Sequence, residues 1–309
     1  MTDSLRPMST GELLDRTFLL YRKNFWLFVG IATVLPAANL VFQLFTVGAA
    51  APRSARATSP AGLVSFSIGI LAGLVVMLAG FAISHAATVK AVAAVHLGRA
   101  TTVIGAYRAL RGRVFRVLGV FLLMMLLVGI CGGAIVLLSG VIGGLAFSGG
   151  ASGGRAAMVA GALVAIAAVV IGAVLAVAIW VRYALAIPAC VVEDLGPIRS
   201  LKRSAQLSKG ARGRILSIYL VFGLLSLIVA FALSGAMGAF AQLINNLILK
   251  SVLVYSAGFV AGSLTGPLGT IGISLLYYDE RVRKEAFDLQ FMMTSLDEIA
   301  QPLPAAIEA

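Results

Sequence analysis

The sequence predicts an all-α integral membrane protein of six transmembrane helices with short interfacial helices on the cytoplasmic side. Three observations carry that prediction. Charged residues make up only 12% of the 309 positions and apolar residues 60%, whereas a soluble globular chain is roughly 25% charged. Six stretches, 26–47, 63–87, 117–138, 156–181, 215–235 and 252–276, contain no Asp, Glu, Lys or Arg. Each exceeds the about 20 residues that a helix needs to cross roughly 30 Å of hydrocarbon. Finally, the cations crowd into alternate connecting segments: of the 24 Lys and Arg, only Arg53, Arg56, Arg155 and Lys250 fall in the other set.

Apolar runs this long satisfy their backbone only as helices, and they lack the alternation of a membrane barrel. An ordinary soluble enzyme is excluded, as is a disordered chain. Positive segments stay on the cytoplasmic side, so both termini are expected there, in a bacterial cytoplasmic (inner) membrane. That topology accounts for the net charge of +12. No basic patch is interleaved with stacking aromatics, so no nucleic-acid partner is expected. The opening 25 residues lack the short apolar core of a cleavable signal peptide.

Residues 1–25 read as a cytoplasmic amphipathic helix. Ser9 and Glu12 have capping-box spacing, Glu12 and Arg16 are four apart, and Leu14, Phe18 and Tyr21 share one face suited to the headgroup boundary. Arg22 and Lys23 precede the first span. The pattern returns before the third span, where Arg108, Arg111, Arg113 and Arg116 follow a short helical stretch from Thr101. It returns again before the fifth, from Gly196, with Lys202, Arg203, Lys209, Arg212 and Arg214. There Pro197 suits a first helical position, Ile198, Leu201 and Ala205 form an apolar stripe, and Gly210 suits the end. The layout suggests three helical-hairpin repeats of about 90–100 residues; independent positive flanks would look the same. These basic clusters are the candidate contacts to anionic phospholipid head groups, at about 1 kcal/mol per surface cation.

Small residues recur at four-residue spacing: Gly69 and Gly73, Gly129 and Gly133, Gly258, Gly262 and Gly266, and Ser226, Ala230, Ser234 and Gly238. They predict close helix packing within the bundle, and homo-oligomerisation would use the same faces. The glycine-rich stretch 139–155 lacks the Gly-Lys-Ser/Thr of a phosphate loop and reads as a flexible external turn.

Little points to chemistry. Cys131 and Cys190 suggest neither a disulfide framework nor a zinc site. His85 and His96 lie eleven residues apart, about 16 Å along a helix, too far to share a metal, and read as structural interfacial histidines. Glu193 and Asp194 read as capping or salt-bridging groups. No catalytic residue, metal site or cofactor is predicted. The polar exceptions inside the spans are Asn39 and Gln43, four apart beyond Pro36, and Ser263 and Thr265 beside Pro267. Two prolines at similar depth resemble the broken helices that bind substrate in transporters; kinks with interhelical hydrogen bonds are the plainer reading.

In the C-terminal segment, 277–309, Tyr277 and Tyr278 stand where aromatic belts form. Asp279 with Arg283, Glu280 with Lys284 and Arg281 with Glu285 are pairs four apart, which predicts that the sixth helix continues into the cytoplasm. Val282, Phe287 (or Ala286), Leu289 and Met293 would dock on the basic loops.

Three segments together, GELLDRTFLLYRKNF (11–25), IPACVVEDLGPIRSLKRSAQLSKG (187–210) and LLYYDERVRKEAFDLQ (275–290), resemble the membrane domain fused to some bacterial glycerophosphoryl diester phosphodiesterases, a domain that also occurs alone. The resemblance implies a multi-helix inner-membrane protein. It does not imply phosphodiesterase activity, because the catalytic barrel of those enzymes is a further domain of roughly 250 residues. The sequence reading is therefore a non-enzymatic scaffold or accessory subunit of an envelope or membrane-associated system, with the bilayer and a membrane-protein partner around it. The alternative is a permease-like subunit for a small, lipidic or peptide substrate at the intramembrane polar residues.

Overall fold

The computed structural model describes residues 7–50, 60–96 and 98–285, and the described residues form helices without a strand. Arg53, Arg56, Ala286, Phe287, Leu289 and Met293 lie outside the described residues. Helix α1 spans Thr10–Lys23, α2 Phe25–Ala32, α3 Val34–Ala50, α4 Pro60–His96 and α5 Val103–Arg108. Then follow α6 Val114–Tyr183, α7 Ala186–Val192, α8 Pro197–Leu207, α9 Arg212–Ala241 and α10 Leu247–Glu285. Six stretches are long and apolar enough to cross a membrane, so this is an all-α, multi-pass membrane protein.

The local signals hold. The Glu12 N–H donates to Ser9 Oγ at 3.2 Å and the Ser9 N–H to Glu12 Oε2 at 2.8 Å, closing the capping box that starts α1. Pro197 opens α8. Gly210 adopts φ +79° in the turn before α9, a conformation glycine takes without steric cost.

The 70-residue run of α6 is not one rod. Gly132 and Gly172 lie 40 residues apart, about 60 Å in a straight helix, yet a Cβ on Gly172 would sit 3.4 Å from the Gly132 carbonyl oxygen. The run doubles back as an antiparallel hairpin, with small residues where the legs touch. Helical hydrogen bonding continues through 139–155 rather than giving way to the open turn expected there.

Helices α4 and α10, of 37 and 39 residues, are about 55 Å and 58 Å long, nearly twice the hydrocarbon thickness. Burial shows which part belongs to which environment. At one end, residues 271–280 of α10 are all buried, and none of residues 81–96 of α4 is exposed. Helices α1, α2, α5, α7 and α8 and the adjoining ends of α6 and α9 wrap them into a collar with a core that includes Phe28, Ile31, Leu110, Leu185, Ile215 and Leu275. Away from the collar the helices expose large apolar side chains: Phe45, Ile68, Leu137, Leu163, Phe231 and Leu249. This second tier is the surface that fits lipid.

Helix α10 runs on past residue 276 as a charged helix, as its pairs four apart predict. The two tiers correct two expectations. Tyr277 and Tyr278 are not belt residues: both are buried in the collar, and the Tyr277 hydroxyl donates to Glu193 Oε1. Ile198 is exposed, and α8 buries Ser200, Leu201, Ser204 and Leu207 instead.

Helix α1 also lies differently from an isolated interfacial helix. The Met8 N–H donates to Asp279 Oδ1 at 2.6 Å, Thr17 Oγ1 lies 3.5 Å from where Gly272 would carry a Cβ, and the Tyr21 hydroxyl donates to the Leu264 carbonyl at 2.6 Å. Successive residues of α1 thus meet successively earlier residues of α10, over about 22 Å. The two helices run antiparallel.

Ion pairs knit the collar. Arg214 lies 2.7 Å from both Asp279 and Glu280. The three predicted pairs of α10 are formed, Asp279–Arg283 at 2.8 Å, Glu280–Lys284 at 3.0 Å and Arg281–Glu285 at 3.3 Å. Arg203 binds Glu193 at 2.9 Å and also Glu285, and those carboxylates hold its guanidinium pKa above the ordinary value. Asp194, at φ 55° in the turn between α7 and α8, bonds Arg113 and Arg116 at 2.8 Å each. The Arg113 hydrogen bond holds its carboxyl below the usual range. All of these charges gather at one end of the bundle.

Candidate functional site

Five of the six intramembrane polar-site residues converge. Pro36, Asn39, Gln43, Thr265 and Pro267 line a cavity of about 460 Å³ between α3, α4, α6, α9 and α10, within the roughly 300–1,000 Å³ typical of ligand sites. The sixth, Ser263, does not line it; its hydroxyl donates to the Phe259 carbonyl at 2.8 Å, within its own helix.

Local sequence explains the shape. Pro36 has no N–H to give Ala32, and the turn at Thr33 separates α2 from α3 just before it. Its ring packs on α10, 3.0 Å from where a Cβ of Gly262 would stand. Pro267 sits inside a continuous α10, so the transporter-like pair of broken helices, the less plain of the two readings, is not present. The Thr265 hydroxyl bonds the Ala261 carbonyl at 2.9 Å. The Gln43 amide donates to Asn39 Oδ1 on the next turn.

The small-residue stripes divide between packing and emptiness. Gly69 and Gly73 receive the rings of Phe45 and Phe42, and Gly262 receives Pro36, whereas no atom lies within 4 Å of a Cβ built on Gly223, Gly258 or Gly266. The latter three line the cavity, as does Ser226; these glycines make its volume rather than a helix contact. Gly129, Gly133 and Gly238 likewise meet nothing.

Several lining groups escaped the sequence reading. His85 Nδ1 and Thr270 Oγ1 are 2.8 Å apart, and the histidine ring packs on Phe81 with centroids 4.1 Å apart. Phe121, Trp180, Tyr183, Tyr219, Phe222, Tyr255 and Phe259 supply further aromatic wall. A histidine near the end of a span reads as interfacial until a third helix is seen to bring Thr270 to it, and aromatic residues are ordinary in spans. No Asp, Glu, Lys or Arg lines the cavity among the described residues, and no three His, Cys, Asp or Glu side chains there converge as a metal site would need. What remains is an apolar and aromatic chamber with neutral hydrogen-bonding groups.

The basic candidates split into two groups. Arg22, Lys23, Arg108, Arg111, Lys202, Lys209 and Arg212 are exposed on the collar. Arg113, Arg116, Arg203 and Arg214 are engaged by carboxylates, so their charge is spent largely on holding the collar together. The Tyr107 hydroxyl of α5 donates to the Ile31 carbonyl at 2.6 Å, and burial raises its pKa. That bond anchors the loop carrying Arg108 and Arg111.

Comparison with known proteins gives no match: no family model, no curated protein and no solved structure corresponds to this chain.

Proposed function

We propose that this multi-pass membrane protein is a permease-like subunit that holds a lipidic small molecule in the cavity beneath its collar, without catalysing a reaction. The single observation that carries the reading is the cavity itself. Residues scattered from Pro36 to Thr270 line a partly open space in which Gly223, Gly258 and Gly266 leave room. The charged end would face the cytoplasm of a bacterial cell, as the distribution of Lys and Arg suggests. The likeness to the membrane domain of glycerophosphoryl diester phosphodiesterases belongs to this reading as a statement about architecture only.

The test is retention of ligand. Protein purified in mild detergent is extracted and its bound lipidic molecules are measured by mass spectrometry. Wild type is expected to retain one species near one per chain. Gly258→Leu, which adds bulk where no atom lies within 4 Å, is expected to lose it while keeping its helical content. Equal retention in both overturns the proposal.

A scaffold role is the second reading, supported by Arg108 and Arg111, exposed on α5 and the turn after it and without a carboxylate partner among the described residues. If neutralising these two abolishes the cellular role while Asn39→Leu with Gln43→Leu leaves it intact, the scaffold reading replaces the first.

A further inference from the structure

We propose that the cavity selects an uncharged single-chain amphiphile, its hydroxyl or carbonyl head held by His85 and its chain running along α10 past Gly258. The inference deepens the preceding one and rests on the cavity being a ligand site.

Charge comes first. No ionised side chain lines the cavity among the described residues. A phosphate, carboxylate or ammonium head placed there would lose its hydration with no counter-ion, a far larger cost than burying a hydroxyl that finds a hydrogen bond. Arg203, Arg214 and Arg283 of the collar are engaged by carboxylates, and its exposed cations, such as Arg108 and Lys202, are on its outer surface, not in the cavity lining.

The head position follows from His85. Its Nδ1 is taken by Thr270 and its ring is held against Phe81, so its orientation is fixed. Its Nε2 has no protein partner among the described residues. No buried side-chain nitrogen or oxygen there lacks a partner, so Nε2 opens onto the cavity that the ring lines. A neutral imidazole has one donor and one acceptor nitrogen. If the Thr270 hydroxyl donates to Nδ1, Nε2–H donates to a hydroxyl or carbonyl oxygen of the ligand. If Nδ1–H donates to Thr270, Nε2 accepts from a hydroxyl. A hydroxyl head satisfies either arrangement.

The chain has a path. Lining on α10 runs from Tyr255 to Ile273, about 27 Å along the helix, with His85 and Thr270 at its collar end. The space therefore extends lengthwise, as an alkyl or isoprenoid chain does. Asn39 and Gln43 bond to each other, which reduces the polarity they present to a chain passing them.

Fluorescence reports the test. The chain has two tryptophans: Trp26, 81% exposed, and Trp180 in the cavity wall. In a Trp26→Phe background, purified protein in detergent is titrated with brominated long-chain alcohol, carboxylate and phosphate monoester of matched chain length, in mildly alkaline buffer. The alcohol is expected to quench Trp180 saturably, with the two anions at least tenfold weaker. His85→Leu is expected to weaken the alcohol about tenfold, the loss of one buried hydrogen bond with its desolvation, and Thr270→Val, which frees the ring, to weaken it less. Gly258→Leu should abolish saturable quenching by all three. An anion binding as tightly as the alcohol, or unchanged affinity in both His85→Leu and Thr270→Val when each elutes as wild type in gel filtration, overturns the head-group assignment and leaves the cavity reading standing. If no probe quenches Trp180 saturably in the Trp26→Phe protein, the cavity reading fails with it.

Discussion

Helix α10 and the returning leg of the α6 hairpin are both long, apolar and rich in small residues, and they lie at opposite extremes of burial. In the apolar window of α10, 67% is buried, against 6% in that of Val159–Val192, although the second has twice the mean hydropathy, 3.0 against 1.5. In a bilayer this inversion is expected. A helix facing lipid gains nothing from polar groups, whereas one enclosed by protein can carry them where partners satisfy them. Helix α10 has Thr265, Thr270 and Ser274 hydrogen-bonded on its length and Asp279 and Glu280 buried in ion pairs. Residues 159–179 of the returning leg carry only aliphatic side chains and glycine.

The largest effect that separates the two regions is expected at Asp279. Its side chain is fully buried and takes the Met8 N–H, Arg214 and Arg283 together. Asp279→Ala leaves these partners uncompensated and should cost about 3–5 kcal/mol, read as a lower melting temperature in detergent and faster proteolysis near residue 8. A change no larger than that of an exposed charge would mean that the collar does not hold α10.

Next comes a matched pair. Leu275 is 0% exposed and Leu163 61% exposed. Leu275→Ala should cost about 2–5 kcal/mol through the cavity it leaves, whereas Leu163→Ala, which trades one apolar contact with lipid for another, should stay within about 0.5 kcal/mol. Thermal unfolding of both in one detergent measures the difference, and equal losses would put the hairpin in a protein interface.

The smallest effect sharpens the division inside α10 itself. Gly262 meets Pro36 and Gly258 meets nothing. Gly258→Ala should be neutral or stabilising by up to about 1 kcal/mol through helix propensity, whereas Gly262→Ala should destabilise by about 1 kcal/mol, since the rigid ring must move. The same unfolding assay decides; a reversed order would mean that the cavity is filled.

The six spans were legible because ionised groups are kept out of them, and five of the six polar-site residues were legible because Pro36, Asn39, Gln43, Thr265 and Pro267 interrupt otherwise apolar runs. The collar was not. Its core residues on α4 and α10, such as Ala86, Val92, Ile271 and Leu275, are apolar like the spans they continue, so up to Lys90 and Asp279 the composition does not mark where hydrocarbon stops and protein begins. Tyr277 reads as a belt residue on the same ground, and only the fold brings Glu193 to it. His85 was visible as an isolated histidine, but its partner Thr270 is 185 residues away, and no local spacing encodes such a pairing. The open glycines were read as contacts because the stripe is the same whether a neighbouring helix touches it or leaves a gap.

The clamp on Met8 has a consequence for biosynthesis. Its partner Asp279 is 271 residues further along, and ribosomes add roughly 5–20 residues per second. The segment around Met8 therefore waits on the order of tens of seconds before the carboxylate that will hold it exists. Five of the six spans are made before α10, which brings both a wall of the cavity and Asp279, so the chamber is completed only when the last span arrives, and a nascent protein stalled before α10 would stand in the bilayer without it.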